Sequence, residues 1–417
     1  MLKDGVDVNV AMIGFGKTNH QIFLTSVANN QFLVEQNGKR VLKEVFYHIF
    51  DKKYAENNKN LNHSYYRFKN EFEGQFEEQE KMGSAHPYLP FPMLPAKDHH
   101  DKLDINDSEF YKKLREALAG DKKFNYIVIA YGTDLENIDM AQKMLEKKQE
   151  WGLKDTYVFV KVRSGNDSYA IFKRNDCFMI GDEPRTVYNI DQIDDHVITD
   201  MAKSRNKIYA LEYEIKSKDG GEKPREVEDV YANADYDWYI KKTQFERESN
   251  IYACLSLRSK LHMMGLDYVA ESIELPKAID EKAYLERYAG QDKPCRPGKT
   301  DIDGKKIVEY NLDFKESRRK TMAIHEHLRW NSFMITKGFV PSSKEEIKGE
   351  NNGKNYHLRK HGNLTTFEGL EEFRKIVAKQ RQKDELNVDV IKYDYQLLDD
   401  AYWLLTKHHY KVVKREE

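Results

Sequence analysis

The sequence predicts an α/β protein, with a doubly wound parallel sheet in the first half of the chain and helices in the second. An apolar run at residues 8–13 ends in a Gly-Phe-Gly turn (14–16) and opens into a helical pattern. Two further apolar runs, at 124–131 and 157–163, are separated by a helical pattern, as parallel strands are by a crossover helix. After Tyr209 the strand patterns fade and amphipathic helices dominate.

Composition limits the classes of protein to consider. The 417 residues are 40% apolar and 33% charged, which predicts packed cores in two domains of ordinary size, at 1–205 and 206–417. A formal net charge of −2 argues against duplex nucleic acid as a partner. No apolar run reaches the roughly 18 residues of a membrane span. The three cysteines are far apart, which indicates neither a disulfide framework nor a zinc ribbon. We therefore expect a soluble, cytoplasmic protein.

Strands and helices are expected to alternate in the first half. The predicted helices are 17–30, 109–119, 135–151 and 190–202, and the strands that follow the first are 42–50, 124–131, 157–163 and 177–181. A polar, then proline-rich stretch at 52–95, within an inserted segment at 52–105, is predicted to be a surface excursion rather than core.

The glycine turn is the clearest binding motif. Gly14 is expected to make the tight turn, and Gly16 to let a pyrophosphate approach the positive N-terminus of the next helix. Asp51 ends the second predicted strand, where a carboxylate usually holds the ribose hydroxyls. Asn19 stands where the fingerprint has its third glycine, so the match is incomplete.

The first half resembles the TrkA-N (RCK-type) NAD-binding domains that regulate bacterial potassium transport, through residues 8–16, "YIVIAYGTDLENIDMAQKML" and "TYVFVKVRS". The resemblance implies a Rossmann-like domain in which NAD or an adenine nucleotide is a ligand rather than a redox substrate. The residues that it assigns to this nucleotide are Gly14, Phe15, Gly16, Lys17, Asp51, Thr133, Asp134 and Asn137. The alternative is that the fold persists while the pocket is empty or repurposed.

Helices are predicted throughout the second half. Capping boxes at Thr243–Glu246 and Thr365–Glu368 start two of them. Two more are predicted at about 316–337 and 394–408.

Three segments resemble the RyR domain first named from ryanodine receptors, namely "IHEHLRWNSFMITKGF", "LRKHGNLTTFEGL" and "KYDYQLLDDAYWLL". The match covers about 238–412. Prokaryotic proteins pair this domain with TrkA-N domains, and the resemblance implies a sensor of nucleotide-derived signals in stress or antiviral defence.

A second ligand site is predicted where the 316–337 helix meets the loop before Thr365. Arg329 either pairs with Glu326 on the helix or holds a phosphate in its planar fork of donors. Trp330 is either a core residue or a platform for a flat ring. The candidate ligand-binding residues of this half are Glu326, Arg329, Trp330, Asn331, Lys360 and His361.

No catalytic or metal site is predicted. His325 and His327 are two residues apart on a helix and point about 200° apart, so they cannot chelate one ion. No Ser/His/Asp, Cys/His or paired-metal carboxylate pattern is visible. The leading hypothesis is a nucleotide-binding regulatory sensor that works as a homo-oligomer, most simply a dimer. The alternatives are an enzyme acting on a nucleotide (an NAD-dependent oxidoreductase or a signalling-nucleotide hydrolase) and a defence-system scaffold with a vestigial pocket.

Overall fold

The computed structural model describes most of the chain, namely residues 6–36, 39–53, 63–94, 96–164, 170–181, 197–215, 233, 235–290, 295–302, 305–310, 317–381 and 390–415. Helices and strands alternate in the first half. They are β1 (Asp7–Ile13), α1 (Lys17–Asn29), β2 (Phe32–Gln36), β3 (Lys39–Lys43), β4 (Val45–Phe50), α2 (His63–Phe72), α3 (Gln75–Met82), β5 (Ala96–Asp101), α4 (Ser108–Leu118), β6 (Lys123–Ile129), α5 (Asp134–Glu150), β7 (Thr156–Lys161), β8 (Cys177–Ile180) and α6 (Val197–Ile215). No helix in the described ranges is both long and apolar enough to cross a membrane.

Six strands of the first half form one parallel sheet in the order β5-β4-β1-β6-β7-β8. The chain runs outward from the central β1 to one edge and then returns to build the other half. This is the strand order of dinucleotide-binding α/β folds, and its direction reverses between β1 and β6. The predicted Rossmann-like, doubly wound sheet is therefore confirmed.

The two faces of the sheet are covered by different helices, because successive side chains of a strand point to opposite faces. Ala11 and Ile13 of β1 lie in a core with α4 and α5. Val10 and Met12 lie in the opposite core with α1, α2 and part of α10 (Arg318–Thr336). This opposite core is shared, because it contains side chains from both halves of the chain.

Two predictions for the first half were wrong. The predicted strand at 42–50 begins only at Val45, because residues 39–43 pair with β2 in an antiparallel hairpin. The stretch at 52–95 is not merely a surface excursion, since Tyr65, Phe68 and Phe91 are buried in the shared core. The inserted segment also supplies the edge strand β5.

The second half is mainly helical, and its described residues also form three two-stranded sheets and two isolated β-bridges. Its elements are α7 (Gln244–Leu255), α8 (Leu257–Met263), β9 (Leu266–Ala270), α9 (Glu281–Tyr288), β10 (Cys295–Ile302), β11 (Lys305–Tyr310), α10, β12 (Val340–Pro341), α11 (Lys344–Ile347), β13 (Lys360–His361), α12 (Gly369–Arg381), α13 (Lys392–Asp399), α14 (Ala401–Lys407) and β14 (Tyr410–Lys414). Helix α10 lies at the centre, packed against α1, α2, α7 and α13.

Local sequence patterns predicted most of these helices. The capping box at Thr243 is confirmed, with the Thr243 side chain and Glu246 bonded reciprocally. The capping box at Thr365 was wrong, since α12 begins at Gly369 and the Thr365 carbonyl accepts side-chain donors from α10 instead. The predicted helix at 190–202 runs from Val197 to Ile215, and its first seven predicted residues lie outside the described ranges.

Candidate functional site

The turn after β1 requires glycine at position 14. Gly14 has φ +80°, in the left-handed region that favours glycine. A Cβ built there would lie 2.5 Å from the Cβ of Tyr131 and 2.8 Å from the Ala130 carbonyl oxygen. Glycine therefore lets the carboxyl end of β1 pack closely against the chain leaving β6.

Gly16 and Lys17, by contrast, face open space. Gly16 is the N-cap of α1, no side chain caps the helix, and no described atom lies within 4 Å of a Cβ built on Gly16. Lys17 is exposed at the first position of the helix. The N–H groups and the dipole of this 13-residue helix favour an anion at this end. This geometry is compatible with the phosphate contact predicted for Gly16 and Lys17.

Asp51 lies at the same turn but makes contacts within the chain. One oxygen of its carboxylate accepts the Phe15 N–H at 2.5 Å, and the other accepts the Lys53 N–H at 2.7 Å. The Phe15 side chain is fully buried, edge-on to Phe23. A phosphate at the turn would compete with a like-charged carboxylate for the Phe15 N–H, which weakens this end as an anion site.

Asn19, the residue that replaces the third glycine, holds the turn in place. Its side-chain amide donates to the carbonyl oxygens of Gly14 at 2.6 Å and Ile13 at 3.1 Å. The side chain is fully buried. Asn19 thus ties α1 to the end of β1, a structural role that the incomplete motif did not reveal.

The three residues predicted to flank the nucleotide from the β6 side are bonded within the protein. Thr133 forms a capping box with Glu136. Asp134 accepts N–H groups from Arg163 and Ser164, and these bonds lower its pKa although its partial burial acts to raise it. The side-chain oxygen of Asn137 accepts the N–H of Tyr131 at 3.1 Å, and its amide donates to Lys161. Thr133, Asp134 and Asn137 therefore shape the loop after β6.

A cavity of about 240 Å³ lies in the second half, between α6, α7, α10 and the segment 354–363. Four of the six predicted residues line it, namely Glu326, Arg329, Trp330 and His361. The other two do not. Asn331 is buried and donates to the Thr365 carbonyl at 2.7 Å, and Lys360 pairs with Glu346 at 2.6 Å.

Arg329 both pairs with Glu326 and keeps a free donor. Its Nε and one terminal nitrogen donate to the two Glu326 oxygens at 2.9 and 2.8 Å. The other terminal nitrogen, Nη1, is buried and has no hydrogen-bond partner among the described residues. The Glu326–Arg329 pair that the sequence offered as one alternative is therefore present, but it is buried rather than on the helix surface, since only 1% of the Arg329 side chain is exposed. A buried guanidinium nitrogen without a partner is costly, and an anionic ligand would satisfy it.

Lys260 of α8, which sequence reasoning missed, completes this charged cluster. Its ammonium lies 2.8 Å from Glu326 and is fully buried. Burial lowers the pKa of Lys260 to about 8, against the opposing effect of Glu326. Burial acts to raise the pKa of Glu326, but Arg329 and Lys260 overcome it and hold that pKa below the usual range. The available signal was a lysine between Leu257 and Leu261 on an apolar helix face.

Aromatic rings form another part of the cavity wall. Trp330 is half-buried, with its ring centroid 5.0 Å from that of His361 and at 75° to it. Phe245 and Tyr356 also line the cavity, with centroids 6.2 Å apart. Burial lowers the pKa of His361 well below its ordinary value, so its ring is neutral. Trp330 also packs against the core, and the His327 ring lies nearly parallel to it at a centroid distance of 5.9 Å. Trp330 is therefore both a core contact and part of the cavity wall.

Comparison with protein-family models, with curated proteins and with solved structures finds no match to this chain. Within the described ranges, no three His, Cys, Asp or Glu side chains converge as metal ligands do. The function is therefore inferred from the chemistry of the cavity and of the glycine turn.

Proposed function

We propose that this chain is a cytoplasmic regulatory sensor that binds a nucleotide and transmits its occupancy to a partner or within an oligomer. The observation that carries the proposal is the buried Nη1 of Arg329, which has no hydrogen-bond partner among the described residues, in a cavity that the Trp330 ring also lines. A nucleotide offers the complementary groups, a phosphate for a guanidinium and a flat base for an aromatic ring.

The glycine turn supports a second nucleotide contact, for NAD or an adenine nucleotide held as a ligand. The support is the strand–turn–helix order at the point of reversal in the sheet, together with the open space beside Gly16. The Asp51 carboxylate on the Phe15 N–H makes this the weaker of the two sites.

Helix α10 offers a physical route between the two sites. Arg329 and Trp330 line the cavity, whereas Phe333 and Ile335 pack into the core that also contains Phe23 of α1. Helix α1 begins at the glycine turn. A ligand that moves α10 changes this packing, and a two-fold dimer would turn the change into a switch of the kind used in stress or defence signalling.

The test is calorimetry with NAD, ATP, ADP and AMP on the wild type, Gly16→Val and Arg329→Gln, with thermal unfolding of each variant. Losing a charge-assisted contact worth about 1.5–3 kcal/mol should weaken binding at the cavity roughly 10- to 150-fold in Arg329→Gln. Gly16→Val should weaken only binding at the turn.

Because Arg329 also neutralises Glu326, Lys354→Gln serves as a second cavity variant that leaves this buried pair intact. No binding of any of the four nucleotides to the wild type would overturn the proposed function. Equal affinities in the wild type and all three variants would overturn the site assignments.

A further inference from the structure

We infer that the cavity selects a mononucleotide whose terminal phosphate carries two negative charges over nucleotides whose phosphate is cyclic or bridging. The inference rests on the proposed function, and it assigns ligand-binding roles to Arg205 and Lys354, which no sequence motif marks. Three properties of the cavity support it, namely its excess of positive charge, the position of its free donors and its size.

Positive charge exceeds negative charge among the described residues of the cavity lining. These include four cationic residues, Arg205, Lys242, Arg329 and Lys354. They include three carboxylates, those of Glu246, Glu326 and Asp394. Lys260, which lies behind the lining, is a further cation in contact with Glu326. This excess of positive charge favours an anionic group such as a phosphate monoester, which carries close to two negative charges near neutral pH.

The carboxylates of the lining already have partners. Glu326 is held by Arg329 and Lys260. Glu246 accepts the Thr243 N–H at 2.8 Å. Asp394 lies 3.1 Å from the Nδ1 of His327. An incoming phosphate therefore meets carboxylates whose charge is largely balanced.

Free donors, in contrast, come from separate segments of the chain. Arg329 offers Nη1, and Arg205 has a buried Nε without a partner among the described residues, while its Nη1 donates to Asn250 at 2.6 Å. Lys354 lines the cavity as well, and burial and the charge of Arg381 lower its pKa without an offsetting carboxylate among the described residues. Cations that approach from α6, α10 and the 354–363 segment can surround a terminal phosphate, which has three free oxygens. A cyclic or bridging phosphate has two such oxygens and one charge.

The size of the cavity favours a small ligand. Pockets that bury a drug-sized ligand span roughly 300–1,000 Å³. The volume of about 240 Å³ is below this range, and it suits one ring system with one phosphate group. A dinucleotide such as NAD would extend beyond the cavity.

The experiment compares AMP with its phosphate methyl ester, which keeps the base and ribose but carries one negative charge instead of two. Calorimetry is done near neutral pH on Gly16→Val protein, so that the glycine turn contributes little. AMP should bind about 10-fold more tightly than the ester, and adenosine more weakly than both. Lys354→Gln should reduce this preference to about 2-fold or less. Lys360→Gln is the matched control, because Lys360 is in the same segment but pairs with Glu346 outside the cavity, and it should leave the preference unchanged.

Equal binding of AMP and the ester would overturn the charge selection while the proposed function stands. An equal effect of Lys354→Gln and Lys360→Gln would overturn the assignment of Lys354. If neither AMP nor the ester binds while NAD or ATP does, the mononucleotide inference is refuted but the proposed function stands. If no nucleotide binds the wild type, both the mononucleotide inference and the proposed function are refuted.

Discussion

Gly14 and Gly16 are two residues apart in one motif, yet the structure predicts opposite responses to the same substitution. Gly14→Ser places a side chain at φ +80°, with its Cβ 2.5 Å from the Tyr131 Cβ and 2.6 Å from the Tyr131 Cα. Gly16→Ser places a hydroxyl in open space at the N-cap of α1. Serine is among the preferred residues at an N-cap.

The magnitudes follow from two costs. A non-glycine residue in the left-handed region costs about 1–2 kcal/mol. Forcing atoms into a packed region costs about 1–3 kcal/mol more, because the backbone after β6 must move. We therefore expect Gly14→Ser to lower the free energy of unfolding by about 2–5 kcal/mol. Gly16→Ser should change the free energy of unfolding by no more than about 0.5 kcal/mol in either direction.

Urea unfolding followed by circular dichroism measures both variants against the wild type. A shift of the midpoint at constant slope would show a change in stability rather than in the compactness of the unfolded chain. Unfolding of Gly14→Ser at the wild-type midpoint would contradict the need for glycine at position 14. Equal destabilisation of Gly16→Ser and Gly14→Ser would contradict the open space beside Gly16.

Three further predictions concern pH, redox chemistry and assembly. Burial lowers the pKa of His325 from 6.5 to about 3. Between pH 6.5 and about pH 3 the unfolded chain therefore binds more protons than the folded chain. The free energy of unfolding falls as the pH decreases through this range. At pH 5 His325 should account for about 2 kcal/mol of lost stability relative to pH 7.5, and His325→Gln should reduce the loss by this amount. His361 and His48, whose pKa values burial also lowers, should keep the remaining loss in this variant. NADH offered with carbonyl substrates should not be oxidised. Light scattering should show a dimer at micromolar protein concentrations.

Each of these predictions has a control or a contrary result. The exposed residue His357 serves as the control for pH, and His357→Gln should keep the wild-type loss of stability. An unchanged loss in His325→Gln would contradict the assignment of the pH effect. Steady oxidation of NADH would indicate an oxidoreductase. A monomer both with and without nucleotide would remove the dimer from the proposed mechanism.

The parallel sheet could be predicted because its signals are local. Three such signals are strand β1 with the glycine turn, the buried strand β6 and the helical pattern that follows it, each encoded in one short stretch of consecutive residues. The edge strand β5 could not, since its sequence Ala-Lys-Asp-His-His-Asp has no apolar alternation. It pairs in the sheet with β4 alone, and an edge strand tolerates polar side chains.

Tertiary contacts overrode local signals elsewhere. Thr365 has the sequence of an N-cap, but its carbonyl oxygen accepts the Asn331 amide and lies 2.9 Å from the Nε2 of His327. The second ligand site was predicted only from α10 and the loop before Thr365, because Arg205 and Lys354 come from segments far apart in the chain. The sequence alone did not show that Arg205 and Lys354 line the same cavity as Arg329.

The most direct test of the central claim is a crystal structure of the protein with AMP. We expect the phosphate within hydrogen-bond distance of Arg329 Nη1 and the base against the ring of Trp330, since both residues line one cavity. AMP bound only at the glycine turn, or a cavity that stays empty at saturating AMP, would contradict it.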